Sequence, residues 1–120
     1  MINLNKRMVN KNLLLKYLTD LEIYQKYIDE EIIPGKMILS PLRNENTPSF
    51  GLFKGDNGEI YFKDFKLKGG DCITFVQMLF NLTYFEACSK IAIDFGMEDD
   101  FIIKKIGKSE TNNIIPINRN

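Results

Sequence analysis

Turn signals cut the stretch from Ser40 to Gly70 into pieces too short for ordinary helices, and this constrains the chain more than any other feature. Ser40-Pro41 ends one extended run. Thr47-Pro48 places a second rigid bend, and the ring of Pro48 pushes Thr47 towards extended geometry. Asp56-Asn57-Gly58 is a hairpin signal, because Asn and Gly tolerate the positive φ of tight β-turns. Gly69-Gly70 closes the stretch. Between these stops, Ser49 to Lys54 and Glu59 to Lys63 read as two short antiparallel strands. Alternation sets Phe50 and Leu52 against a wetter face at Gly51 and Phe53. On the returning strand it sets Ile60 and Phe62 against Tyr61 and Lys63.

Helices flank this stretch. Leu13, Leu14, Leu15 and Leu18 predict a short apolar helix over 12–18. Thr19-Asp20-Leu21-Glu22 is a capping box, in which hydroxyl and carboxylate each take one amide of the first turn. The helix it opens is expected over 20–29, with Ile23/Tyr27 and Tyr24/Ile28 as neighbouring pairs. Ile32-Ile33 and Met37-Ile38-Leu39 then flank Pro34-Gly35 and read as a hairpin. Gly69-Gly70-Asp71 opens another helix with Asp71 as N-cap, and Ile73, Phe75, Val76, Leu79 and Phe80 form its apolar face. After a turn at Asn81-Leu82, Thr83-Tyr84-Phe85-Glu86 is a second capping box. The last helix shows Phe85, Cys88, Ile91, Ala92 and Phe95 on one face and ends at Gly96. Phe101 to Ile106 predicts one more strand or helical turn.

The fold class is therefore α+β, a small antiparallel sheet flanked by helices. The 120 residues suffice for one domain with a real core, and 44% hydrophobic content supports a folded globular class. We divide the chain into a loose basic arm and short helix (1–18), a central domain (19–97) and a C-terminal tail or linker, partly disordered (98–120), where Ile114, Ile115 and Ile117 could dock. No apolar run approaches the ~20 residues of a membrane span, and no leader resembling a secretory signal is visible. Cys72 and Cys88 fall at apolar helical positions and read as buried reduced thiols. A cytoplasmic location and no membrane partner are expected. Net charge is zero, but the charges are segregated. Lys6, Arg7, Lys11 and Lys16 stand on the arm without an acid, and the stretch 36–68 is also basic, whereas the helices are acidic. The zero net charge argues against a histone-like binder, and the segregation leaves room for one local positive face.

Two turn-rich knuckles around two strands have the layout of a metal ribbon, yet there is no ligand set. Ser40-Pro41-Leu42-Arg43-Asn44-Glu45-Asn46-Thr47-Pro48-Ser49-Phe50, then Tyr61, then Gly69-Gly70-Asp71 leading to Phe75-Val76, resemble the N-terminal zinc-binding domain of bacterial DnaG-type DNA primases. The similarity runs on through Leu82-Thr83-Tyr84-Phe85-Glu86-Ala87 and Ile91-Ala92, and covers about residues 20–96. The family pattern has Cys-Pro-x-His where this chain has Ser40 and Arg43, and a second Cys pair where it has Lys63 and Lys66. Charged Lys and Arg cannot ligate zinc, and Ser is a poor ligand. The chain is thus expected to be a metal-free, zinc-ribbon-like variant with no cofactor. It is similar to primase-like proteins of phages and mobile elements, in which an Arg-bearing first knuckle and a Lys-Asp-Phe second knuckle recur; Lys63-Asp64-Phe65 fits.

Losing zinc removes about 10 kcal/mol of apparent binding energy in small zinc domains. An ion pair from Arg43 to Asp64 across the knuckles, or to Glu45, is one replacement. A core of Phe50, Phe62, Phe65 and Phe75 is the larger one, with Phe62 or Phe65 filling the former metal site. The resemblance implies a non-catalytic module that contacts single-stranded template DNA in primer initiation. Arg43, Phe53, Lys54, Tyr61, Lys63, Lys66 and Lys68 are the candidate contacts, aromatics for stacking and cations for phosphates. For Arg43 the strut and the DNA contact are both open. The alternative is a protein-interaction or inhibitory module that binds a primase catalytic core, a replicative helicase or a host factor.

Overall fold

The computed structural model describes residues 5–44 and 46–105. Its elements are α1 (Lys11–Leu14), α2 (Asp20–Tyr27), β1 (Phe50–Lys54), β2 (Ile60–Asp64), β3 (Leu67–Gly70), α3 (Cys72–Phe80) and α4 (Tyr84–Asp94), followed by a 3-10 turn at Glu98–Asp100. The three strands form one antiparallel sheet in the order β1-β2-β3, so the fold is α+β as expected. Phe50 faces Asp64, Leu52 faces Phe62, and Phe53 faces Tyr61 across the first pair.

Both capping boxes form, at Thr19/Glu22 and at Thr83/Glu86. Asp71 caps α3 by accepting from the Thr74 amide. Asn81 ends α3 in the left-handed region, and Gly96 follows α4 at φ 74°. The helix α2 stops at Tyr27, short of the expected 29. Its exit is organised by Gln25, whose amide donates to the carbonyls of Ile28 and Glu30 and accepts from the Ile32 amide. The turn at Pro34-Gly35 forms, with Gly35 at φ 94°. Beyond the Lys36 N–H to Ile33 O bond that closes this turn, however, no backbone pairing joins its flanks among the described residues. Gly35 N–H donates to Leu52 O and Ile38 bridges Phe50, so 35–38 lies along the open edge of β1. An unpaired strand edge offers backbone partners that a lone hairpin would not need.

Three further departures matter. Leu67 to Gly70 is a strand, not merely a lead-in to α3; a Cβ on Gly69 would stand 2.5 Å from Phe62 O, so only Gly allows this approach. The helix α1 is a single turn, shorter than 12–18. The segment before it is tied down, with Met8 bridging Ile102, Val9 N–H donating to Ile102 O and Ile102 N–H donating to Arg7 O. Val9, Leu14 and Phe101 belong to the same buried core as the centre of the chain, which therefore runs across both boundaries drawn at 18/19 and 97/98. The readings for Met1–Leu4 and for 106–120, Ile114, Ile115 and Ile117 included, lie outside the described residues.

The core is aromatic under the sheet. Phe50 stacks on Phe62 at 5.7 Å, and Phe75 meets them at 5.6 and 5.7 Å, with Tyr24 at 5.3 Å from Phe75. Phe65 is not part of it: the ring is 70% exposed. The same alternation that buries Phe62 and Asp64 sends Lys63 and Phe65 to the other face. Cys72 and Cys88 are free and buried; burial pushes the first thiol up to about 12 and the second up to about 11. Among the described residues no helix is long and apolar enough to cross a membrane.

Candidate nucleic-acid interface

The two turns that flank the first strand pair are joined by charge. Arg43 Nε donates to Asp64 Oδ1 at 3.0 Å and Nη2 donates to the same oxygen at 2.7 Å. Nη2 also donates to Ser49 Oγ at 2.8 Å, and the Lys66 N–H reaches Asp64 Oδ1 at 2.9 Å. Ser40 and Ser49 are buried beside the pair. Burial pushes the Asp64 carboxyl up, but the hydrogen bonds from Arg43 and the Lys66 amide outweigh it and hold the carboxyl below the usual range. The Arg43 side chain is 17% exposed and turned inward, so the strut geometry is what the fold contains. Glu45, the other expected partner, lies outside the described residues.

This arrangement does not suit zinc. Of the four positions where the resemblance places ligands, one carries a guanidinium locked on a carboxylate, and two carry lysines exposed on the surface. Among the described residues no cluster of three His, Cys, Asp or Glu could hold a metal ion.

The outer face of the sheet carries the other candidates. Phe53, Lys63 and Phe65 line one open groove of about 270 Å³, together with Gly35, Met37 and Gly51. Phe53 is 46% exposed. Gly51 sets the groove floor, since a Cβ there would come within 2.6 Å of Met37 Sδ. Tyr61 stands beside Phe53 at 5.9 Å but is less available. Its ring covers Gly55, and its hydroxyl donates to Glu59 Oε1 and accepts from Asn57. Lys54 pairs with Ile60 and alternates to the opposite face from Phe53. Lys66 sits in the β2–β3 turn and Lys68 on β3, both exposed. The structure thus gathers Phe53 and Lys63, leaves Tyr61 at the margin, turns Arg43 inward and sets Lys54 on the other face of the strand. Met37 and Phe65 are surface partners that the sequence reading missed. Carrying the alternation two residues past Lys63 would have found Phe65.

A second polar cluster was not foreseen. Lys11 Nζ donates to Glu59 and, at 2.8 Å, to Asp71 Oδ2, while the Lys11 amide donates to Tyr84 Oη at 2.9 Å. Nearby, Ile60 N–H donates to Asp20 Oδ2, and Tyr24 Oη donates to Ile60 O. Burial would lower the Lys11 ammonium, yet Asp71 raises it above its ordinary value. Asp71 itself is pushed up by burial and drawn down further by Lys11 and Thr74, ending below the usual range. So one cation of the basic arm is spent on holding α1 to the hairpin and to the start of α3. Compared with known proteins, the chain matches no family model, no curated protein and no solved structure.

Proposed function

We propose that the chain is a primase-type, zinc-ribbon-like module that holds its shape without metal and contacts single-stranded DNA with the outer face of its sheet. It would act in the cytoplasm during primer initiation, with no catalytic role of its own. One observation carries the reading: Phe53, Lys63 and Phe65 line a single open groove. Exposed rings offer stacking surfaces to bases of any sequence, and a lysine between them offers a phosphate partner. Lys66 and Lys68 extend positive charge along the neighbouring turn and strand. The Arg43–Asp64 pair and the Phe50–Phe62–Phe75 cluster would stand in for the metal.

The test is fluorescence anisotropy of a labelled oligothymidylate. Weak binding that falls further as salt rises is expected. Lys63→Glu with Lys66→Glu should weaken it at least tenfold, and Phe53→Ala several-fold. Unchanged affinity in the double variant would remove this face from the reading. The groove also favours the second reading, because all its lining except Lys63 is apolar or glycine. A protein anchor on a primase core or a helicase would fill it with apolar side chains. Pull-down with a primase core that lacks its own N-terminal domain separates the two.

A further inference from the structure

The N-terminal segment builds a second cleft that shares no residue with the sheet groove. It encloses about 230 Å³ and is lined by Asn5, Arg7, Lys16, Tyr17, Asp100 and Phe101, with Leu13 beneath. Each wall is fixed by the backbone. Arg7 is held by the hydrogen bond from Ile102 N–H to its carbonyl, at 2.8 Å. Lys16 and Tyr17 sit in the turn that continues α1, their amides bonded to Leu13 O and Leu14 O. The Tyr17 ring is 69% exposed, yet it leans on buried Phe101 with centroids 6.5 Å apart. It is therefore an oriented aromatic surface. Two cations and one carboxylate leave the lining at a net +1, counting Arg7 and Lys16 against Asp100. Neither cation is consumed by an ion pair among the described residues.

We propose that this cleft binds one nucleotide unit. Arg7 and Lys16 take the phosphate, the base stacks on Tyr17, and Asp100 accepts from a sugar hydroxyl or a base N–H. A bare phosphate is the poorer ligand, since Asp100 repels it and Tyr17 gains nothing from it. The volume lies below the roughly 300 Å³ at which pockets for drug-sized ligands begin, so the cleft encloses a single unit. The unit can be a free mononucleotide or part of a strand.

Titration of the ¹⁵N-labelled full chain with inorganic phosphate, AMP and an oligothymidylate tests this by amide shifts. AMP or the oligonucleotide should move the amides of 5–18 and 100–101 saturably. Arg7→Ala with Lys16→Ala should weaken that binding at least tenfold. Tyr17→Leu should weaken it severalfold and leave phosphate unaffected; all three side chains are exposed, and circular dichroism checks the fold. Saturable shifts with AMP assign the site to free nucleotides, and shifts with the oligonucleotide alone assign it to a strand. The proposal is overturned if neither ligand moves these amides, if the double variant binds like the parent, or if Tyr17→Leu changes nothing, which would leave a plain anion site. Shifts at Phe53, Lys63 and Phe65 report separately on the sheet face, so either site can fail alone.

Discussion

The two faces of the sheet are built from the same residue types and serve opposite ends. Phe50 and Phe62 face inward, stack on each other and meet Phe75. Phe53 and Phe65 face outward around Lys63 and an open groove. The inner rings are held by neighbours on every side, whereas the outer rings expose apolar surface that folding leaves unpartnered. A phenylalanine in this sheet is therefore read by its parity along the strand, and the comparison can be broken residue by residue. The largest effect belongs to the inner face. Phe62→Ala removes a buried ring that contacts two others, and should cost about 3–5 kcal/mol. Urea unfolding that showed less than ~1 kcal/mol would mean that the inner cluster is not what holds the sheet.

The next effect lies at the sheet's end, where the inner face turns polar. Arg43→Ala would strand the Asp64 carboxylate in a buried site. A fully buried pair broken this way costs about 3–5 kcal/mol; the partial exposure of Arg43 brings the expectation to about 2–3 kcal/mol. The sign of its pH dependence follows from Asp64. In the parent the carboxyl is held low, so its stabilising share is present above the unfolded pKa near 4 and is lost as pH falls through the folded value. In the variant, burial without Arg43 favours the neutral acid. The gap between parent and variant should then be widest at pH 7 and shrink as the solution is acidified towards pH 4 and below. A gap independent of pH would put the cost on packing, not on charge.

Much of this inner architecture is legible without coordinates. Strict alternation identifies Phe50, Leu52 and Phe62, and the knuckle layout of the resemblance sets Arg43 against Asp64, with Glu45 as the other partner it allows. The Lys11 cluster is not legible, because its partners Glu59 and Asp71 are 48 and 60 residues away and no local periodicity links them. Nor is β3, whose Gly69-Gly70 reads as a helix opening until the close approach to Phe62 is seen. The hairpin expected around Pro34-Gly35 failed for the same kind of reason. Its turn is local, but the choice of β1 as partner is tertiary. Lys11→Met is the next test in order of size. The ammonium is about one-fifth exposed and meets two carboxylates, so a loss of about 1 kcal/mol is expected, above that of a lone surface pair. Raising salt should narrow the difference between parent and variant. A loss that salt leaves unchanged would assign the residue's worth to its apolar stem.

The smallest effect on stability is the one that defines the outer face. Phe65 is 70% exposed, and its backbone amide already satisfies Ser49 O whatever side chain it bears. Phe65→Ser should therefore change stability by no more than about 0.5 kcal/mol, the usual range for surface sites. Under the DNA-contact reading the same change should still weaken oligothymidylate binding several-fold, because it removes one wall of the groove. The two readouts must part company: folding indifferent, binding impaired. If Phe65→Ser destabilised the protein by as much as Lys11→Met, the ring would be packing and the two faces would differ in degree only. If it left both stability and binding alone while abolishing capture by a primase core, the outer rings would belong to a protein partner. An aromatic that costs nothing to remove from the fold but something to remove from binding is kept for what it touches outside the chain.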